Sequence, residues 1–453
     1  MEENKMGTQP MLGLIAKMSL PAMFSMLIQS LYNVVDSIFV AQIGENALTA
    51  VSLAYPVQTL MIAFGVGTGV GLNSLISRRL GEKRIDEATS AANHGAILGV
   101  ATWILFALLG IFFTETFFRF YTDDPTIFQM GCDYTYVVTI FSIGVFVEIN
   151  NERTLQATGN MIYPMVFQLV GAVANIILDP IFIFGWLGIP AMGVKGAAIA
   201  TVIGQILAMI YSTYILQTKD HAVKISFKSF KFQWSIVADI YKVGFPSIVM
   251  QAIASVLIVG LNAILTVFSS TAVAVLGVYY KLQSFVFMPV FGLNNGIMPI
   301  MGYNFGAKNR KRLIDATKIG LVIAVAIMAV GTLVFMLIPQ VLLMFFNATP
   351  QMLEIGVPAL RIISICFVFA ALGIVFSTFF QAIGNGFVSL LISLLRQLIV
   401  ILPVAYFLSH WLNSAVGVWW AFPIAELISF LASLGMFAYI YGKRIKQLPR
   451  GAD

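Results

Sequence analysis

The chain has 453 residues, 59% of them hydrophobic and only 10% charged, with a formal net charge of +6. An average soluble domain is roughly 45 to 50% apolar and 25% charged, so this composition excludes a soluble globular protein and leaves a polytopic membrane protein without room for a large soluble domain. The basic residues stand in short clusters between apolar runs, as in cytoplasmic loops, so they report orientation and not a nucleic-acid partner.

The opening MEENKMGTQP is too acidic and polar for the basic head of a cleaved signal peptide, and the apolar stretch behind it is long enough to span, so the first helix is expected in the mature protein. With about 20 apolar residues per crossing, twelve spans are expected. They fall at about 14–42, 47–77, 89–113, 130–153, 161–184, 196–217, 239–268, 272–301, 315–338, 352–380, 387–408 and 416–441. The even number puts both termini on one side. The tail and loops on that side hold Lys5 and Lys17, then Arg78, Arg79, Lys83 and Arg84, then Arg153, then Lys219, Lys224, Lys228, Lys231 and Lys242, then Lys308, Arg310, Lys311, Arg312 and Lys318, and finally Lys443, Arg444, Lys446 and Arg450. The opposite loops hold only Arg119 and Lys195, so the termini are expected in the cytoplasm.

In the first span, Ser25, Gln29, Asn33 and Asp36 share one helical face in an otherwise apolar segment. A charge at membrane depth costs at least about 2.5 to 3.5 kcal/mol and normally faces protein or a water-filled cavity, which makes Asp36 a functional candidate. The second span carries Gly65-Val66-Gly67-Thr68-Gly69-Val70-Gly71, which lacks the strand-to-helix setting of a nucleotide loop and reads as close helix packing. The fourth span has Glu148 and Glu152 one turn apart with Asn151 between them. Glu148 is placed to attract organic cations, whereas Glu152, beside Arg153, reads as an interfacial ion pair. The fifth span has Gln168, then Asn175 and Asp179 at i,i+4. Asp36 lies eight residues before Gly44 and Asp179 six before Gly185, which places both roughly 9 to 12 Å below the outer ends of their helices. Thr201 reaches a similar level in the sixth span. These oxygens suit either Na⁺ or a shared proton.

A polar, basic loop near 218–238 divides the spans into halves, and a repeat relates them. Pro21 and Pro246 lie 225 positions apart (246 − 21), as do Gly81 and Gly306, Pro125 and Pro350, Gly131 and Gly356, and the loops Gln156-Ala157-Thr158-Gly159-Asn160 and Gln381-Ala382-Ile383-Gly384-Asn385. With six spans per half, the copies share one orientation, as in transporters built from parallel repeats. The expected architecture is an all-α integral membrane protein of twelve transmembrane helices in two pseudo-symmetric six-helix bundles around a central cleft. Its parts are an N-terminal lobe over 1–217, a cytoplasmic linker over 218–238, a C-terminal lobe over 239–442 and a tail over 443–453.

The second half carries no acid equivalent to Asp36; Lys281, Arg361, Arg396 and Glu426 are its charges within spans, read mainly as internal pairs. Cys132 and Cys366 lie in apolar surroundings and read as packing residues. The three histidines have no metal spacing, and no ATP-binding loop or nucleophile elbow occurs, so an enzyme is not expected.

Taken together, Pro21 and Asp36, the Arg79-Leu80-Gly81 loop, Leu155-Gln156-Ala157-Thr158-Gly159-Asn160, Asn175 with Leu178-Asp179-Pro180, Met192-Gly193-Val194 and the repeated Gln-Ala-Ile-Gly-Asn loop resemble the multidrug and toxic compound extrusion (MATE) family, in its MepA-like bacterial type, over essentially the whole chain. The resemblance implies an inner-membrane antiporter that exports cationic amphipathic drugs in exchange for Na⁺ or H⁺, without a cofactor. It implies a cation site at Asp36, Asn175, Asp179 and Thr201, with Gln29 beside the substrate cavity; Asn33, Glu148 and Asn151 complete the candidate substrate contacts. Small organic cations and membrane lipids are the expected partners, nucleic acid is not, and a monomer is expected. Two alternatives remain: a flippase for a lipid-linked saccharide or other lipid, using Lys281, Arg361 and Arg396 for pyrophosphate, and a non-transporting receptor or scaffold, which leaves the buried acids and the repeat without a purpose.

Overall fold

In lipid every backbone polar group must be satisfied within the chain, and a sequence of long apolar runs punctuated by Gly, Pro and charge does this as helices. The computed structural model describes residues 4–228 and 230–449, and among these there is no strand. Arg450 lies outside the described residues. The first half comprises α1 (Lys5–Thr8), α2 (Met11–Ile43), α3 (Glu45–Gly81), α4 (Ile85–Tyr121), α5 (Pro125–Ile140), α6 (Ile143–Ala157), α7 (Ile162–Phe184) and α8 (Val194–Thr218). The second comprises α9 (Trp234–Thr266), α10 (Ser270–Gly306), α11 (Arg310–Leu337), α12 (Pro339–Met344), α13 (Pro350–Ser364), α14 (Phe367–Ala382), α15 (Gly386–Leu394), α16 (Ile401–Leu412) and α17 (Val416–Ile440). A π-helical stretch, Leu395–Val400, joins α15 to α16. Among the described residues ten helical segments are long and apolar enough to cross a membrane, and counting each bent pair as one span gives twelve.

The bent pairs are where the helices depart from the expected spans. The fourth span is α5 and α6, meeting at 44°, and the tenth is α13 and α14, meeting at 48°. The breaks fall at Phe141-Ser142 and Ile365-Cys366, one residue short of the repeat offset (365 − 141 = 224), and no proline stands at either. At the first break the Ser142 hydroxyl donates to the Thr139 carbonyl at 2.7 Å, beside its own N–H on the same oxygen at 3.3 Å. By contrast the helices run on through Pro56, Pro289, Pro299, Pro358 and Pro423.

Two compact units result, Phe24–Ile248 and Met1–Met23 with Val249–Asp453. These do not follow the linker: the change-over falls inside α2 and inside α9, two residues past Pro21 and Pro246. Glycines explain why each unit takes in the first part of the other's leading helix. In one unit a Cβ on Gly71 would lie 2.1 Å from the Ile240 carbonyl oxygen, and a Cβ on Gly67 2.4 Å from Ile248, so α3 accepts the start of α9 at backbone contact. In the other unit a Cβ on Gly296 would lie 2.4 Å from the Ser19 hydroxyl and one on Gly292 2.6 Å from the Met23 Cα, so α10 accepts the start of α2 in the same way. Gly67 and Gly292, like Gly71 and Gly296, are 225 positions apart, so the repeat preserves the docking groove as well as the prolines. The glycine-rich run of the second span is a packing surface, as its setting within a span requires.

The linker between α8 and α9 is tied down. Asn93 of α4 donates to the Ser226 carbonyl at 2.9 Å and accepts from the Ser226 N–H at 3.0 Å. His94, fully buried, bonds the Ser90 carbonyl at 2.7 Å through Nδ1 and accepts the Gln233 N–H at 2.8 Å through Nε2, with the Phe230 ring edge-on 4.9 Å away. Removing one such bond leaves a buried group unpaired at a cost of about 1 to 3 kcal/mol. Limited trypsin digestion of Asn93→Ala and His94→Ala should therefore cut at Lys228 and Lys231 faster than in the unaltered protein; equal rates would show that the loop is held by other contacts.

Candidate functional site

The three side chains expected at one level, Asp36 on α2, Asp179 on α7 and Thr201 on α8, are brought together with Asn175, one turn before Asp179, inside the Phe24–Ile248 unit. Glycine again sets the approach. A Cβ on Gly204 would lie 2.8 Å from the Gly171 carbonyl oxygen, and one on Gly196 2.4 Å from that of Phe182, so α7 and α8 touch along their backbones and Thr201 comes beside Asn175.

The Asn175 amide nitrogen donates to Asp179 Oδ2 at 2.9 Å, while its oxygen accepts from the Thr201 hydroxyl at 3.1 Å and from the Thr201 N–H at 3.0 Å. Asp179, fully buried, sets its carboxyl beside that of Asp36. Two adjacent carboxyls repel one another when both are ionised and can share a hydrogen bond when one carries a proton. Asp36 Oδ1 and Asp179 Oδ1 have no hydrogen-bond partner among the described residues. Tyr32, one turn before Asp36, bonds Thr201 through its hydroxyl, and Tyr134 of α5 bonds Gln58 of α3 at 2.6 Å close to the two acids. Tyr32 was legible as the residue at i−4 on the Asp36 face; Tyr134 and Gln58 carry no local signal, since only packing of three helices brings them here. A cavity of about 310 Å³ lined by Asp36, Ser37, Val40, Leu48, Val51, Ser52 and Tyr55 gives Asp36 an opening, with Asp179 buried behind it.

The donor set bears on which ion fits. A hard cation takes several oxygens. Here the Asn175 oxygen is turned to Thr201 and its nitrogen to Asp179, which leaves the acids' free oxygens for a cation. Among the described residues no group of three or more His, Cys, Asp or Glu gathers to hold a metal.

The other candidates lie elsewhere. Glu148 is buried on α6 with Oε1 unpaired, and Asn151 spends its amide on Ser212 and Thr213 of α8, both at 3.0 Å. Glu152, expected at an interface, is instead buried, receiving the Gln156 amide at 2.6 Å and the Gln168 amide at 3.1 Å. Gln29 and Asn33 are exposed on α2 and join neither group. In the second half Arg396 faces Glu426 at 3.7 Å, the internal pairing expected of those charges. Arg361 instead donates to the Met336 carbonyl at 3.2 Å, and the Lys281 ammonium lies 5.9 Å from the Phe346 ring.

The MatE family model matches the chain twice, over 21–181 and 246–407, starting at the two repeat prolines. The multidrug export protein MepA of Staphylococcus haemolyticus (strain JCSC1435) is 26% identical over 416 residues, which is 91% of this chain and 90% of that protein. MepA of Staphylococcus aureus (strain MRSA252) is 25% identical over 433 residues, 94% and 93% of the two chains. Among solved structures, a multidrug resistance MATE family transporter of the MOP superfamily in an outward-facing conformation superposes with a TM-score of 0.92 at 26% identity, covering 99% of both chains. A MOP superfamily transporter from Pyrococcus furiosus, described as having a binding pocket of reverse polarity, gives 0.91 at 27% identity, again over 99% of both.

Proposed function

Because the chain belongs to the MatE family of membrane transporters, we propose that it is a secondary active antiporter that exports cationic amphipathic compounds by alternating access and is driven by protons. The adjacent carboxyls of Asp36 and Asp179 are the observation that supports the choice of ion, since two neighbouring acids in a buried site readily share a proton. The first helix and the α7–α8 pair hold the acids, Asn175 orients Asp179, and Thr201 fixes the amide. Arrival of a proton at Asp36 through its cavity, and its loss on the other side, bias the two facing states by as much as the states differ in proton affinity. Glu148, in the same unit, supplies a buried carboxylate that a cationic drug would neutralise, with Gln29 and Asn33 as further substrate contacts and Asn151 as their support from α6. The skewed lysines and arginines put both termini in the cytoplasm of a bacterial cell, and the protein works as a monomer without a cofactor.

Reconstitution in proteoliposomes with an ethidium-like dye tests the reading. A pH gradient imposed alone is expected to drive dye exchange, and a Na⁺ gradient imposed alone is expected to leave the dye at its leak rate. Exchange driven only by Na⁺ would make the acids a cation site, and exchange driven by neither would favour lipid flipping over drug export.

A further inference from the structure

Outside the candidate ion site, the strongest unexplained surface is the linker between α8 and α9. Both helices are candidate spans, so the loop from Lys219 to Gln233 begins and ends at a membrane face. Its inner side is fixed to α4 by Asn93 and His94, with Val223 fully buried and Phe230 packed edge-on against His94. Of the aromatic side chains on its outer side, Phe232 leans on the His94 ring at 5.2 Å and on the Trp234 ring at 5.0 Å, which leaves its remaining face outward with Phe227 and Trp234. Phe227 is 54% exposed, Phe232 45% and Trp234 76%. Two lysines, Lys228 and Lys231, stand exposed among them. Lys224 is taken by Asp220 at 2.8 Å, but neither Lys228 nor Lys231 has an acidic partner among the described residues.

We propose that Phe227, Lys228, Lys231, Phe232 and Trp234 form a binding surface for anionic phospholipid, the aromatic rings entering the headgroup boundary and the two lysines pairing with lipid phosphates. Trp234 is the first residue of α9, a candidate span, and Trp is favoured at headgroup level because one edge is apolar and the other can hydrogen-bond. Unpaired lysines beside such rings meet the negative surface of a leaflet containing acidic lipids, and the attraction decays within a Debye length, which confines it to side chains already at the surface. A soluble acidic partner would satisfy the lysines but would have no need of rings placed at lipid level. Pinning to α4 adds preorganisation: little loop entropy is lost when the surface meets the membrane. The proposal does not depend on which compound or ion the protein transports.

The full chain in nanodiscs of mixed phosphatidylglycerol and phosphatidylcholine provides the test, with bromine on the acyl chains of one lipid or the other. The emission of Trp234 is taken as the difference between the unaltered protein and Trp234→Phe. Brominated phosphatidylglycerol should quench that share more than brominated phosphatidylcholine at the same fraction, and the preference should fall by a factor of about 5 for each of Lys228→Gln and Lys231→Gln, and further at high salt. Equal quenching by the two lipids, no quenching by either, or a preference untouched by the lysine replacements would overturn the proposal. Where Trp234→Phe inserts poorly, an environment-sensitive label on Phe232→Cys reads the same comparison.

Discussion

Asp36→Asn is expected to reduce proton-driven dye exchange by roughly 5- to 150-fold, the range that a coupling free energy of about 1 to 3 kcal/mol spans, while leaving insertion and fold intact. The amide keeps the shape of the carboxyl and still bonds Asp179, so no buried group loses its partner. What it cannot do is gain and lose a proton at the one member of the pair that has an opening to the cavity beside α2 and α3. Asp179, fully buried, would then have no partner with which to exchange that proton. Downhill dye movement without a gradient should persist in the variant, which separates lost coupling from lost binding. Gradient-driven exchange at the unaltered rate in purified Asp36→Asn would show that the pair is structural.

A second large effect is expected from Gly196→Val, which touches none of the proposed ligands. The first atom of the new side chain would lie 2.4 Å from the Phe182 carbonyl oxygen, and a backbone atom cannot swing aside as the end of a side chain can. Overpacking of this kind costs about 1 to 3 kcal/mol or more. The cheapest relief is a shift of α8 away from α7, which withdraws Thr201 from Asn175 and releases the amide that orients Asp179. Both thermal stability and gradient-driven exchange should fall, and Gly196→Ala should fall less far in each. Full exchange activity in Gly196→Val would mean that the contact of Thr201 with Asn175 is dispensable.

The sequence was most informative where the physics is local. Periodicity put Asn175 and Asp179 on one face of a helix, and residue counting put Asp36 and Thr201 at a matching level; all four meet as that counting requires. Counting was less informative for α6. Glu148 and Asn151 share a helix but not a task, since the Asn151 amide is used up by Ser212 and Thr213. Glu152 reads as an interfacial ion pair because Arg153 adjoins it in the chain; in the fold it is buried and two glutamines, one of them on α7, donate to it. Nothing within a helical turn announces such a partner.

By itself the sequence determined an all-helical membrane chain of twelve spans, its 225-residue repeat and the acids within its apolar segments. Hydropathy, helical period and spacing are properties of neighbouring residues, and the cost of an exposed backbone in lipid forces them into helices. Only the tertiary structure decided that the Asp36 and Asp179 carboxyls lie side by side, that the fourth and tenth spans break without proline, and that the starts of α2 and α9 are exchanged between the units. Those outcomes rest on which backbones can touch, and here that is set by glycines at 67, 71, 292 and 296, far along the chain from the helices they receive. Close packing is a property of pairs of surfaces, and one strand of text records each surface without recording the pair.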